Sequence, residues 1–165
     1  MFPPESRILV KKELSKNLLV IETMDQDEIY QERILEHYES PYHKGKCASC
    51  THCHEDKNPL CGDVVRMELR ILDEGKIREI YFDGEGCCIS QAAASMLVEL
   101  FDGKTVEDVK KFSAEDMLRF FGPRLTPNRQ KCALLPWRVL QAAIYSPCSQ
   151  TPPFPETPKQ ATATS

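Results

Sequence analysis

Apolar and charged residues alternate in the middle of the chain. Between residues 65 and 71 every second side chain is apolar, and the segment KIREIYFD at 76–83 repeats the pattern. A period of two is typical of strands that bury one face. The intervening DEG at 73–75 is suited to a tight turn, because Gly75 tolerates a positive φ. The pattern therefore predicts an antiparallel hairpin.

The flanking segments have the spacing of helices. DQDEIYQERILEHYESP places apolar residues three and four apart and predicts a helix over 26–39 that stops before Pro41. After the hairpin, Ser90 is expected to cap a helix that continues through QAAASMLVELF and ends at Gly103.

Two short helices and one longer helix are expected in the last third of the chain. Thr105 with Asp108 and Ser113 with Asp116 each resemble a capping box. The segment ALLPWRVLQAAIY predicts a final helix in which Pro136 should lie near the first turn.

These elements predict an α+β fold in which helices pack on one face of a small antiparallel sheet of about three strands. Residues 25–146 form the expected single domain, including a Cys/His-rich loop at 43–57. Residues 1–24 are expected to be a partly flexible extension. The Pro- and Thr-rich segment 147–165 is expected to be a disordered tail, with Cys148 unstructured.

Charge and cysteine content narrow the possible functions. With 21 basic and 25 acidic residues, the net charge of -4 provides no broad surface for a nucleic-acid backbone. No apolar run is long enough for a signal peptide or a membrane span, so a cytoplasmic location is expected. In a reducing cytoplasm, eight cysteines favour metal binding or thiol chemistry over disulfides.

Three cysteines lie at the ends of predicted elements. Cys61 precedes the first strand of the hairpin, Cys87 follows the second, and Cys132 lies near the start of the last helix. A helix N-terminus should favour the thiolate at Cys87 and Cys132. Together with the Asp63 carboxylate, these thiols could form a tetrahedral zinc site or a labile seat for an iron–sulfur cluster.

The segments NPLCGD, GEGCCISQAAASM and RQKCALLPW resemble, in order, the three cysteine motifs of the U-type iron–sulfur assembly scaffolds, the family of IscU, SufU and the NifU N-terminal domain. The resemblance runs from about residue 29 to residue 144. It implies that Cys61, Asp63, Cys87 and Cys132 are the ligands and that Cys88 is an additional thiol.

The same resemblance implies partners and a cargo. A cysteine desulfurase would supply sulfur to Cys61 or Cys132, iron would bind, and a two-iron or four-iron cluster would pass to apo-proteins. An iron donor, a Hsp70-type chaperone and a monomer or transient homodimer are further expectations. LTPNR at 125–129 occupies the place of the chaperone motif and keeps Leu125, Pro127 and Arg129.

These residues are compatible with two branches of the family. Lys131 before Cys132 resembles the SufU branch, in which some members hold zinc and act as sulfurtransferases. The interval of 45 positions from Cys87 to Cys132 lacks the SufU insertion, which favours a scaffold. A zinc-stabilised interaction module without sulfur chemistry is a third possibility.

The segment HKGKCASCTHCHEDK contains ligands that the family resemblance does not explain. Cys47, Cys50 and Cys53 follow one another at three-residue spacing, and His54 adjoins the last. Such spacing can wrap one loop around one metal ion. The alternatives are a second metal site formed by these four residues and a flexible loop with incidental thiols.

Overall fold

A computed structural model of the 165-residue chain describes residues 26–122 and 125–148. Within these residues lie three strands, β1 (His52–Lys57), β2 (Val64–Ile71) and β3 (Ile77–Glu85). The helices are α1 (Gln26–Glu39), α2 (Cys88–Phe101), α3 (Val106–Lys111), α4 (Ala114–Phe121) and α5 (Pro127–Ala143). The predicted α+β class is confirmed. The segment 1–24, expected to be a flexible extension, and residues 149–165 of the expected disordered tail lie outside the described residues.

The sheet is antiparallel in the order β1-β2-β3. β2 and β3 form the predicted hairpin, with Met67 opposite Phe82 and Gly75 at φ 74° in the turn. Val65, Met67 and Leu69 of β2 are fully buried, as the alternation requires. In β3 the buried residues are Ile77, Ile80 and Phe82, so the alternation predicted for 76–83 is interrupted between Ile77 and Ile80, opposite a register irregularity at Arg70/Ile71. β1 is a departure from expectation, because it forms from residues assigned to the Cys/His loop and pairs with β2.

Helices α2 and α5 provide most of the cover over the sheet. α2 is buried along most of its length and contributes Ala93, Met96 and Leu97 to the core. α5 packs against β1, β2 and α2, with Leu135 and Leu140 nearly inaccessible to solvent. Among the helices of the described residues, none combines the length and apolar character needed to cross a membrane.

The helix starts are partly as predicted. Thr105 and Ser113 form capping boxes with Asp108 and Asp116, which confirms both expectations. The prediction that Ser90 caps α2 is wrong, because the helix begins at Cys88 and Ser90 lies inside its first turn. The Ser90 hydroxyl instead donates a hydrogen bond back to the carbonyl of Cys87, at 3.1 Å.

Helix α5 begins at Pro127, six residues before the predicted start at residue 133. Its first residues are polar and exposed, so they carry no apolar period, and Pro127 suits a first helical position. Pro136 therefore lies in the helix interior, contrary to the prediction that it lies near the first turn. Since proline has no backbone N–H, the carbonyl of Cys132 lacks its usual partner four residues on.

His37 joins α1 to α2 through a buried hydrogen bond. Its Nδ1 lies 2.8 Å from the Ser95 hydroxyl, which also accepts the backbone N–H of Tyr42. With one lone pair engaged by Tyr42, the Ser95 hydroxyl can donate its own proton to Nδ1 of a neutral imidazole. Burial lowers the pKa of His37 despite the nearby Glu99 carboxylate.

We expect this arrangement to make the fold sensitive to mild acid. Below the ordinary histidine pKa of 6.5 the unfolded chain takes up a proton before the folded one does, so stability falls as the pH falls. Chemical denaturation of the apo-protein at several pH values measures this slope. His37→Asn keeps a polar side chain without titrating, and it should flatten the slope; an equal slope in the variant would contradict the assignment.

Candidate metal and sulfur site

A closed turn before β2 exposes Cys61 and buries Asp63. The backbone N–H of Asn58 donates to the carbonyl of Asp63, and the N–H of Gly62 donates to the carbonyl of Asn58, both at 2.8 Å. Gly62 adopts φ 74°, which L side chains rarely adopt. As a result, the Cys61 thiol lies at the surface, whereas Asp63 is 2% exposed.

Asn58 is a positioning residue whose role was not predicted from the sequence. Its side-chain oxygen accepts the backbone N–H of Leu60 at 3.1 Å, and its amide nitrogen lies 4.0 Å from the Cys132 sulfur. Asparagine before proline commonly begins a turn of this kind, and that dipeptide was the available signal. Asn58 therefore links the Cys61 turn to helix α5.

Cys87 meets Asp63 at the start of α2. The Cys87 N–H donates to Asp63 Oδ1 at 2.9 Å, and its thiol donates to Oδ2 at 3.3 Å. The thiol also lies 3.8 Å from the Ser90 hydroxyl. Cys87 thus donates a hydrogen bond to each oxygen of the Asp63 carboxylate, and these two bonds fix the orientation of the carboxylate relative to the start of α2.

Gly86 makes this close approach possible. A β-carbon at position 86 would lie 2.7 Å from Asp63 Oδ1 and 2.7 Å from the Ser90 hydroxyl oxygen. Separations under 3.0 Å require one of the groups to move. Only glycine at this position leaves the contact between Asp63 and the start of α2 undisturbed.

Cys132 approaches the turn from α5. Its sulfur lies 3.7 Å from the Cys61 sulfur, and the side chain is 8% exposed. One ligand atom from each of Cys61, Asp63 and Cys132 lies within 4.8 Å of the others. The structure therefore brings the four predicted residues together, since Cys87 adjoins the same carboxylate; we call Cys61, Asp63, Cys87 and Cys132 the central site. Cys88 is exposed beside it.

The thiols and the carboxylate influence each other's protonation. Burial would raise the pKa of Asp63, but hydrogen bonds from Cys61, Cys87 and Cys132 outweigh burial and hold it below its ordinary value. The carboxylate is therefore ionised at neutral pH. Burial, together with the hydrogen bond from Cys61, raises the pKa of the Cys132 thiol.

The expectation that a helix N-terminus favours the thiolate at Cys132 is therefore wrong for the metal-free protein. α5 begins five residues earlier, and the influence of a helix end fades within its first turn. Burial then dominates at Cys132. A bound cation reverses this balance, because a coordinating thiol is deprotonated.

The donor set suits a thiophilic cation. A zinc–thiolate bond of about 2.3 Å gives a sulfur–sulfur edge of roughly 3.8 Å in a tetrahedron. The observed 3.7 Å between Cys61 and Cys132 matches that edge. Cys61, Cys132 and Asp63 are thus spaced for a single metal ion. Cys87, which contacts the same carboxylate, would supply a third sulfur after a shift of its side chain, and the four donors could then hold the iron atoms of a small cluster.

A second group of thiols lies at the outer edge of β1. Cys50, Cys53 and Cys148 place their sulfurs within 4.8 Å of one another, and we call them the edge thiol set. Of the four residues predicted for a second site, Cys50 and Cys53 belong to this set, whereas Cys47 and His54 do not. The Cys47 backbone N–H instead donates to the Glu68 carboxylate, at 2.9 Å.

Cys148 is placed differently from expectation. Its backbone N–H donates to the carbonyl of Thr51 at 3.0 Å, and its side chain is half-buried. The prediction that Cys148 is unstructured is therefore wrong. The proline-rich composition gave no sign that the chain returns to β1 directly after α5.

Comparison with known proteins gives a consistent result. The family model of the NifU-like N terminal domain matches residues 29–150. The zinc-dependent sulfurtransferase SufU of Bacillus subtilis is 31% identical over 135 residues, covering 72% of this chain and 90% of that protein. The iron–sulfur cluster assembly scaffold protein IscU of Thermotoga maritima is 34% identical over 132 residues, covering 70% and 92%.

A solved structure supports the same relationship. The SufU protein of Fervidobacterium islandicum, assigned to iron–sulfur cluster assembly in the SUF system, superposes with a TM-score of 0.60 at 32% identity. The match covers 73% of this chain and 99% of that structure. This chain is thus similar in sequence to the two relatives, and in fold to the solved structure, over at least 90% of the length of each.

Proposed function

Because the chain belongs to the NifU-like N-terminal domain family, we propose that it is an iron–sulfur cluster assembly scaffold. It accepts persulfide sulfur from a cysteine desulfurase, binds iron, assembles a labile cluster once an external electron donor has reduced that sulfur to sulfide, and transfers the cluster to apo-proteins. The observation that carries the proposal is the convergence of the Cys61, Cys87 and Cys132 thiols on one buried carboxylate. The cluster is a cargo of this site.

Sulfur enters through Cys61, the most accessible thiol of the central site. The Cys61 thiolate attacks the outer sulfur of a persulfide on the desulfurase, forming a Cys61 persulfide and releasing the desulfurase thiolate. The turn that carries Cys61 also presents Leu60, which is 71% exposed and suited to contact a partner protein. Cys132 lies 3.7 Å away and can accept the sulfur next.

Iron binds among the same residues, and Asp63 keeps the bound cluster labile. Thiolates are the preferred ligands of iron–sulfur clusters, whereas a carboxylate is a harder and less suitable donor. Asp63 is ionised and already oriented by Cys87, so it can act as the fourth donor without rearrangement. Exchange of this weakest ligand for a thiolate of the recipient begins the transfer.

A second candidate function is zinc-dependent sulfur transfer. The sulfur–sulfur distance of 3.7 Å already matches a single tetrahedral zinc ion, and the Bacillus subtilis relative is a zinc-dependent sulfurtransferase. Zinc would use the same four residues and lower the pKa of the thiols. Sulfur would then leave as persulfide without a cluster being assembled.

Anaerobic reconstitution distinguishes these functions. Protein incubated with a cysteine desulfurase, cysteine, iron and a thiol reductant should develop the visible absorbance of a cluster, and that cluster should activate an apo-ferredoxin. Tight zinc binding and persulfide turnover without visible cluster absorbance would instead support the sulfurtransferase function. A protein that gives neither result would be a zinc-stabilised interaction module.

Replacing Asp63 tests the origin of cluster lability. We expect Asp63→Ala to assemble a cluster and to transfer it more slowly than wild type by roughly 10- to 100-fold, the usual range for altered metal surroundings. Transfer to apo-ferredoxin, followed by circular dichroism, gives the rate. Asp56→Ala is a matched control, because that carboxylate faces Arg138 at the surface. An unchanged transfer rate in Asp63→Ala would rule out this role.

We place this activity in the cytoplasm, where the thiols stay reduced and the desulfurase and recipients are accessible. A monomer suffices for a two-iron cluster, and a transient homodimer for a four-iron cluster. An iron donor and a chaperone complete the proposed partners. Pro127 and Arg129 are exposed at the start of α5, where a chaperone can reach them.

A further inference from the structure

The edge thiol set has no part in the proposed cluster chemistry, yet it has the geometry of a ligand group. Cys50 precedes β1, Cys53 lies within it, and Cys148 follows α5. Their sulfurs converge although 95 positions separate the last two residues along the chain. We propose that Cys50, Cys53 and Cys148 form a second metal site, which binds one zinc ion and fastens the chain after α5 to β1.

The backbone holds the three thiols together before any metal binds. The Cys53 N–H donates to the carbonyl of Ser146 at 2.9 Å, and the Cys148 N–H donates to the carbonyl of Thr51 at 3.0 Å. His52 and Pro147 form an antiparallel bridge between these two bonds. Two thiols are thus fixed on adjacent backbone segments, so little conformational entropy is lost when a cation binds.

The spacing of the sulfurs favours a single ion over a cluster. All three lie within 4.8 Å of one another, close to the edge of roughly 3.8 Å expected around one tetrahedral zinc ion. An iron–sulfur core would push its thiolate ligands farther apart. Thiolate donors also select thiophilic cations such as zinc over magnesium or calcium, which prefer oxygen.

Exposure gives the site an open fourth position. Cys53 is fully buried, whereas Cys50 and Cys148 are half-buried and reach solvent. Zinc sites with three protein ligands complete their tetrahedron with water or another small ligand. A metal ion can therefore reach the thiols from solvent. The site lies at the edge of β1 that pairs with residues 146–148.

The number of zinc ions bound per full-length chain, measured in variants, tests the proposal independently of the central site. A background variant carrying Cys61→Ala, Cys87→Ala and Cys132→Ala removes the proposed cluster chemistry. We expect this background to retain about one zinc ion per chain after anaerobic loading and gel filtration. Adding Cys148→Ser or Cys50→Ser should weaken zinc binding more than tenfold, because loss of a direct ligand exceeds the effect of altered surroundings.

Two matched thiols serve as controls. Cys47→Ser and Cys88→Ser change cysteines outside the edge thiol set and should leave zinc affinity in the background unchanged. Cobalt substituted for zinc should show thiolate-to-metal charge-transfer absorbance that weakens by about one third in Cys148→Ser. Zinc should also slow hydrogen exchange at the amides of Cys53 and Cys148.

Three results would overturn the proposal. The background variant could bind no zinc, or Cys47→Ser could weaken zinc as much as Cys148→Ser does. Thiol counting could instead find two thiols lost to a disulfide in the anaerobically purified protein. A failed cluster reconstitution would leave zinc binding by the background intact, so failure of the proposed function is separately recognisable.

Discussion

Gly86→Ala should weaken zinc binding at the central site while the protein stays folded. The added methyl group would lie 2.7 Å from both Asp63 Oδ1 and the Ser90 hydroxyl oxygen, so the carboxylate or the start of α2 must move. Overpacking of this kind costs roughly 1–3 kcal/mol and would break the hydrogen bond that orients Asp63. We expect zinc affinity at the central site to fall about 100-fold, the upper end of effects from altered metal surroundings.

Two further variants separate this steric effect from general destabilisation. Gly103→Ala places a methyl group in open space at φ 76°, so it should lower stability by about 1–2 kcal/mol without changing metal affinity. Ser90→Ala added to Gly86→Ala removes one of the two close contacts and should restore part of the binding. Competition with a chromophoric chelator measures affinity, and far-ultraviolet circular dichroism verifies the fold. Unchanged affinity in Gly86→Ala would show that Asp63 need not hold its position.

Cys87→Ser should eliminate cluster assembly, whereas Cys88→Ser should leave it within about twofold of wild type. The two residues are adjacent in sequence, but the Cys87 thiol contacts Asp63 and the Cys88 side chain is exposed. A serine hydroxyl at position 87 can still donate to Asp63, so the metal-free fold should survive while a thiolate ligand is lost. Visible absorbance after anaerobic reconstitution reports the difference.

The two substitutions are chemically identical, so each controls for the other. Equal loss in both variants would mean that Cys88 contributes to the site as well. Loss in Cys88→Ser alone would transfer the ligand role from Cys87 to its neighbour. Thermal unfolding of both metal-free variants shows whether either loss comes from misfolding.

Regular patterns made much of the fold predictable from sequence. The alternation in β2, the helical spacing of α1 and the capping boxes at Thr105 and Ser113 are local signals, and the structure agrees with them. The predicted central-site residues also converge in space. That prediction depended on family motifs, because chain patterns cannot show that Cys61 and Cys132, 71 positions apart, meet at 3.7 Å.

The features that were missed depend on tertiary contacts. β1 is formed by polar residues, and its pairing with β2 on one edge and with residues 146–148 on the other stabilises the strand. The α2 start was misassigned because Asp63, 24 positions earlier, binds the Cys87 N–H and leaves Ser90 inside the helix. No local propensity shows that Asn58 or Gly86 adjoins the site, since both act through groups brought near by folding.

Pro136 has a mechanical consequence for the central site. Pro136 cannot donate a backbone hydrogen bond to the Cys132 carbonyl. The two halves of α5 on either side of the proline are therefore joined by fewer backbone hydrogen bonds than in an uninterrupted helix. The first half carries Cys132 and is held in the core by Ala133 and Leu135, and the second half is held there by Val139 and Leu140. Tilting the first half about this joint breaks fewer backbone bonds than bending an uninterrupted helix would. A small displacement of the Cys132 sulfur from Cys61, such as a bulkier inorganic core would require, is therefore resisted by one backbone hydrogen bond fewer than in an uninterrupted helix.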